Sequence, residues 1–127
     1  MNKLVLFGVV ITTFMLMMAS CQYKFIVEPV IPPPNPEDTV YFSTDVLPIW
    51  NDDNNCTSCH FPGATSPDLT PANVYIDITS KGMVNTETPD QSSIYLFPSP
   101  ETTTHSWKKY SNAQAATILQ WIEQGAL

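Results

Sequence analysis

Residues 54–63 read NNCTSCHFPG, so Cys56, Cys59 and His60 crowd two of the three cysteines and one of the two histidines into five positions. Four chemistries use such a cluster: a metal site, a redox thiol pair, a disulfide and a covalently held haem. A structural zinc ion needs four ligands. Cys56, Cys59, His60 and His105 make four, but neighbouring Cys59 and His60 do not readily reach one tetrahedral ion, and no second C-x-x-C occurs. A thioredoxin-like pair follows a strand in a βαβ setting. The flank here, Asn51 to Asn55, is instead an acidic, asparagine-rich turn after a helical pattern. A Cys56–Cys59 disulfide would close a loop too short to stabilise much, and it leaves His60 without a role. C-x-x-C-H accounts for all three residues. Two cysteines at this spacing can each bond one vinyl group of haem c, and the adjacent histidine can bind the iron as axial ligand.

The chain around the motif is short and acidic. Its 127 residues suffice for one small domain. Twelve acidic residues against five lysines, with no arginine, give a net charge of −7. That balance argues against nucleic acid as a partner, because its binding needs a basic face. It also argues against electrostatic docking on an anionic membrane. At the N-terminus, Lys3 precedes an apolar or small stretch from Leu4 to Met18, closed by Ala19, Ser20 and Cys21. Residues 1–20 read as a signal peptide, the run being shorter than the ~20 apolar residues that span a bilayer. The cleavage site beside Cys21 resembles the lipobox of bacterial lipoproteins. That resemblance implies lipidation of Cys21, where several acyl chains anchor stably and one holds only marginally. An ordinary secreted protein with a spare thiol is the alternative.

Removing residues 1–20 takes away one lysine and no acid, so the mature charge becomes −8. Export places the cysteines where thiols are oxidised or otherwise occupied. The anchor fixes the location as the cell envelope, facing periplasm or cell surface, and Gln22, not an obvious inner-membrane retention signal, favours the outer membrane. Residues 21–38 are read as the anchor and a proline-rich linker, with five prolines between Pro29 and Pro36 giving a stiff polyproline-II spacer. Residues 39–127 form the domain, which is too small to stabilise itself comfortably by apolar burial alone.

The domain patterns as all-α. Ser111 and Gln114 form a capping-box pair, and Ala115, Ile118, Leu119 and Ile122 follow as an apolar stripe beside Trp121, with Gly125 as the stop. Asp45 is placed as the cap of a short helix before the cysteines, with Val46, Ile49 and Trp50 as its apolar face. Thr70-Pro71 is expected to cap a third helix carrying Val74, Tyr75 and Ile78 and stopping at Gly82, although the alternation at 74–78 also suits a strand. Asp90 is expected to cap a fourth, with Ile94, Tyr95 and Phe97. Trp50, Trp107, Trp121, Tyr75 and Tyr95 are assigned to the core or a haem pocket.

Taken together, the segments FSTDVLPIWNDDNNCTSCH, PDLTPANVYIDI, QSSIYLF and ILQWIEQGAL, spread over residues 42–127, resemble the mono-haem, class I-like cytochrome c domains of bacterial lipoproteins. The resemblance implies a small helical domain wrapped around one covalent haem. In such domains the first and last helices pack together, here through the Val46/Ile49 and Ile118/Ile122 faces. It also implies a sixth iron ligand from the loop before the last helix, commonly a methionine. This sequence departs from that pattern: Met83 is the only methionine beyond Met18 and lies far upstream, while the expected loop holds His105. Bis-histidine ligation by His60 and His105 is therefore expected, with Met83 or an open position as alternatives. The Pro62-Gly63 turn leaves the His60 ring free to bond a backbone carbonyl. Lys108 and Lys109, the only basic cluster, suit an acidic redox partner or a solvated approach to the helix.

The function expected is electron transfer with other redox proteins of the cell envelope. No constellation of general acid, base or nucleophile points to an enzyme. The rival readings are a haem-based sensor or peroxidase-like protein with open iron, and a non-haem binding module with a Cys56–Cys59 disulfide.

Overall fold

Helix formation begins one turn earlier than the cap pattern at Asp45 suggests. In a computed structural model of the chain, Tyr41 is the N-cap of a π-helical turn, Phe42–Val46, that runs directly into α1, Leu47–Asn51. Asp45 therefore sits inside the helical segment. Its carboxylate reaches back to accept from the Tyr41 backbone N–H at 2.7 Å, one of the donors left over at a helix start. Pro48 falls in the first turn of α1, where its missing N–H breaks no bond. The polar run after Trp50 ends the helix as expected, with a 3-10 turn at Asp52–Asn54 in which Asp53 takes φ +53°.

The structure describes residues 2, 3, 7, 8 and 32–127. The expected signal peptide, apart from those four positions, the lipidation site Cys21 and the first part of the linker lie outside the described residues. The chain divides into two units, Met1–Val30 and Ile31–Leu127. In the first, Lys3, Phe7 and Gly8 are helical. No helix among the described residues is long and apolar enough to cross a membrane.

In the second unit, the stretch at 74–78 is helical: α2 spans Val74–Ser80. Its N-cap is Asn73, not Thr70. The Thr70 carbonyl accepts from the N–H groups of Asn73 and Val74, so Thr70-Pro71 opens a turn that feeds the helix. Val74 and Ile78 are fully buried, whereas Tyr75 is exposed along its edge and donates to the Ala126 carbonyl at 3.1 Å. Gly82 follows at φ +64°, a conformation open to glycine without steric cost. The single turn α3, Ser93–Leu96, starts from Ser92; Asp90 lies in the preceding 3-10 turn, Pro89–Gln91.

The last helix, α4, spans Asn112–Glu123 and carries the capping box read from the sequence. Ser111 Oγ accepts from the Gln114 N–H at 3.2 Å, and Gln114 Oε1 accepts from the Ser111 N–H at 2.9 Å. Such a cap contributes about 1 kcal/mol. The buried face is Ala115, Ile118, Trp121 and Ile122; Leu119 is only half-buried, and the indole of Trp121 fills the core in its place. Among the described residues there is no strand, so the domain is all-α.

One apolar cluster joins these elements. Val46 and Trp50, Val74 and Ile78, and Ile118, Trp121 and Ile122 are all fully buried in it. The Phe42 ring lies 5.3 Å from Trp121, 6.2 Å from Trp50 and 5.1 Å from Tyr75, so the π-helical turn packs on α4. Residues 35–38, read as linker, are also held by α4. Gln120 Nε2 donates to the carbonyls of Asn35 and Asp38 at 2.9 and 2.8 Å, and Gln124 bonds the Asp38 carbonyl and the Val40 N–H, each at 2.9 Å.

Candidate haem-binding site

The C-x-x-C-H segment grows out of the end of α1. The Cys56 N–H donates to the Trp50 carbonyl at 2.9 Å, and Asn55 Nδ2 donates to the Ile49 carbonyl at 2.7 Å. The Cys56 carbonyl then accepts from both the Cys59 and His60 N–H groups, at 3.1 and 3.0 Å. This is one tight turn, and residues three and four apart share a side of such a turn. Cys56 and Cys59 are both free thiols; Cys56 is half-buried and lines a cavity, while Cys59 is exposed. Burial pushes the Cys56 thiol up, against the downward pull of the nearby Lys108 ammonium. A thiol kept protonated is a poor redox nucleophile.

Beyond His60 the chain reverses at Gly63, which takes φ +82°. It returns along the motif, with the Thr65 N–H on the Cys59 carbonyl at 3.2 Å and the Leu69 N–H on the His60 carbonyl at 3.0 Å. This return delivers the Pro67 carbonyl to within 3.0 Å of His60 Nδ1. A carbonyl only accepts, so Nδ1 is the donor here and Nε2 is the ring nitrogen left to bind a metal.

The returning segment is clamped by two carboxylates. Asp77 Oδ2 accepts from the Asp68 N–H at 2.7 Å and pairs with Lys81 Nζ at 2.5 Å. Asp68 accepts from the N–H and hydroxyl of Thr70 at 2.9 and 2.6 Å and from Asn73 Nδ2 at 2.7 Å. The Thr70 hydroxyl holds the Asp68 carboxyl below the usual carboxylate range, and the Lys81 ammonium does the same for Asp77. A depressed carboxylate contributes stability that is present above its unfolded pKa and lost as pH falls through the folded value. Acid titration from pH 5 downward is therefore expected to loosen the 67–77 segment, and with it the hold on His60. Asp68→Asn should shift that acid midpoint toward neutral pH by circular dichroism; an unchanged midpoint would count against the clamp.

His105 sits in the loop between α3 and α4 at φ +54°, uncommon for a residue with a side chain. Backbone of this kind costs about 1–3 kcal/mol and persists where its surroundings enforce it. Here His105 Nδ1 donates to the Lys108 carbonyl. The loop is pinned by Thr104 Oγ1 on the Phe97 carbonyl at 2.8 Å, by Lys109 Nζ on the carbonyls of Pro100 and Thr102, and by the Tyr110 N–H on the Pro98 carbonyl at 2.8 Å. As at His60, the bonded nitrogen is Nδ1, so Nε2 is the one left to bind.

The two imidazoles meet across one cavity. Their centroids are 6.0 Å apart and their planes 23° apart. The cavity is open to solvent, and Leu69, Met83, Ile94, Phe97, Pro98 and Tyr110 supply its walls beside Cys56, His60 and His105. Tyr110, which the sequence reading passed over, anchors the inner wall. Its buried hydroxyl accepts from Trp50 Nε1 and donates to the Ile94 carbonyl, both at 2.9 Å. Burial pushes its phenol far above the ordinary range, so it stays neutral. Its place just before the Ser111 cap, with Ala115 four residues after the cap, is a hydrophobic-staple pattern that could have marked it as buried.

The sequence assignments of the other aromatics divide. Trp50 and Trp121 are core residues, Tyr95 is half-buried, Tyr75 is exposed at an edge, and Trp107 is 77% exposed. Met83, the alternative ligand, is a half-buried wall residue whose backbone is fixed to Ile78 and Ile94.

The donor set can be tested against the candidate chemistries. Among the described residues no group of three or more His, Cys, Asp or Glu side chains is placed to hold a metal ion, so the four-ligand zinc arrangement is not assembled. Two imidazoles and a free thiol lining one apolar cavity are donors of the kind haem c asks of a protein, because the porphyrin brings the other nitrogens. The residues present fit the group. Comparison of the chain with protein-family models, with curated proteins and with solved structures finds no match.

Proposed function

We propose that this chain is a haem c-binding electron-transfer protein of the cell envelope, held to a membrane by a lipid on Cys21 and exchanging electrons with other redox proteins. The observation that carries the reading is that His60 and His105, distant in sequence, line one cavity together with Cys56. The rings stand 6.0 Å apart over an apolar cavity, each with Nδ1 committed to a backbone carbonyl, with Cys56 and Cys59 beside one of them. Bound there, haem c would supply a one-electron iron couple.

The protein's part is positional. Cys56 and Cys59 would hold the group by thioethers. The Pro67 and Lys108 carbonyls orient the two rings and raise their basicity as ligands. Leu69, Ile94, Phe97 and the neutral Tyr110 keep the cavity apolar, and an apolar surround tunes the potential. Were both His60 and His105 to bind the iron, no position would be left for a small ligand, which favours electron transfer over gas binding or peroxide chemistry.

Mass spectrometry of the mature protein, produced with a haem c maturation system, tests the reading. The added mass of one haem should persist after denaturation and disappear in the Cys56→Ser/Cys59→Ser variant, with a matching pyridine haemochrome spectrum. Unmodified thiols in the protein so produced would overturn it.

A further inference from the structure

The loop that presents His105 also presents the most exposed aromatic ring among the described residues, Trp107. Tryptophan is foremost among the residues that anchor protein interfaces. Its ring lies against the His105 imidazole, with centroids 5.0 Å and planes 33° apart. Phe97, half exposed, lines the same cavity, and its carbonyl holds the loop through Thr104. Lys108 is exposed at the cavity mouth.

Charge marks the same spot. Among the described residues of the 32–127 span, Lys81 is engaged with Asp77 and Ser66, and Lys109 donates to two backbone carbonyls. The Lys108 ammonium makes no hydrogen bond or ion pair there. In a strongly acidic chain, the one unengaged cation of this span stands beside its most exposed indole.

We infer that Trp107, Phe97 and Lys108 form the electron-exit face, on which a redox protein with an acidic rim around an apolar centre docks. The inference rests on His105 being an axial ligand, as proposed above. With haem held at His105, the His105–Trp107 contact would offer one electron a path to the partner's oxidised centre, with no bond made or broken. A small apolar centre with a charged rim suits an encounter that must release quickly, and Lys108 steers an acidic surface to it.

The test uses the loaded, full-length protein and two inorganic redox probes of opposite charge, ferricyanide anion and hexaammine-ruthenium(III) cation. Trp107→Glu and Ile76→Glu change the net charge equally. Ile76 is 71% exposed on α2, outside the cavity lining. At about 0.1 M ionic strength, Trp107→Glu is expected to lower the ferricyanide-to-ruthenium rate ratio about fivefold and Lys108→Glu about tenfold, while Ile76→Glu leaves it within about twofold. Equal shifts from the two glutamates, in variants with unchanged haem spectra, would overturn the exit face and leave the electron-transfer reading standing. A wild-type protein that carries no haem would remove both.

Discussion

Replacing His105 by alanine is expected to turn a low-spin, six-coordinate ferric spectrum into a high-spin one, with the haem still covalently attached. The expectation follows from the division of labour in the site. Cys56, Cys59 and His60 lie on one tight turn after α1, whereas His105 comes from a separate loop pinned by Thr104, Lys109 and Tyr110. If haem is bound as proposed, removing the His105 ring would leave attachment untouched and free one ligand position on the iron. Added imidazole should restore the low-spin spectrum, because nothing else about the cavity has changed. Met83→Leu should leave the spectrum as it was. If instead Met83→Leu produces the high-spin form and His105→Ala does not, the ligand is the thioether and the assignment fails. His105→Met supplies a further measurement: thioether ligation raises a haem potential relative to imidazole, by on the order of 0.1 V within the wide range that axial ligands command.

The site was only partly legible in the sequence, and the reason differs by residue. C-x-x-C-H is a local pattern whose parts are held by local bonds, so Cys56, Cys59 and His60 could be read together. The carbonyl partner of the His60 ring could be expected because a turn at Pro62-Gly63 must bring backbone past it. Pro67 as that partner could not be named, since the return is set by the Asp68–Asp77 clamp between segments nine residues apart. His105 had no motif of its own; only the resemblance to cytochrome c domains singled out its loop, and its place opposite His60 is a tertiary fact.

The same distinction runs through the fold. The capping box at Ser111 involves neighbours in sequence and forms as read. The cap at Asp45 does not, because the segment winds a π-helical turn before it and the carboxylate serves the helix start from inside. Trp107 was assigned to the core or a haem pocket on residue type alone, and type cannot distinguish an indole that fills a core from one that stands in solvent beside a cavity. Residues 35–38 read as linker because they close the proline-rich run that begins at Pro29, yet Gln120 of α4 and its C-cap residue Gln124, 82 to 86 residues away, hold the carbonyls of Asn35 and Asp38.

Trp50→Ala is expected to be the most damaging single substitution for stability. The side chain is fully buried, packs near Phe42, and donates its indole N–H to the buried Tyr110 hydroxyl at 2.9 Å. Truncating a buried tryptophan costs about 3–5 kcal/mol in lost transfer energy and cavity formation. A domain of this size has about 5–15 kcal/mol in total, and each kcal/mol is worth about 4–8 °C in melting temperature, so a fall of at least about 12 °C is expected by circular dichroism. Trp50→Phe separates the two contributions: it keeps most of the packing, removes the donor to Tyr110, and should cost about 1–3 kcal/mol. The consequence reaches the site, because Trp50 sits between the core and the cavity wall. Its carbonyl holds the Cys56 N–H, and through Tyr110 it is linked to the Ile94 carbonyl. The alanine variant should therefore also attach less haem than wild type. Trp107→Ala removes an indole of the same size from the surface and should change stability by less than about 0.5 kcal/mol. Equal destabilisation by the two alanines would mean that Trp50 does not hold the core and the cavity wall together.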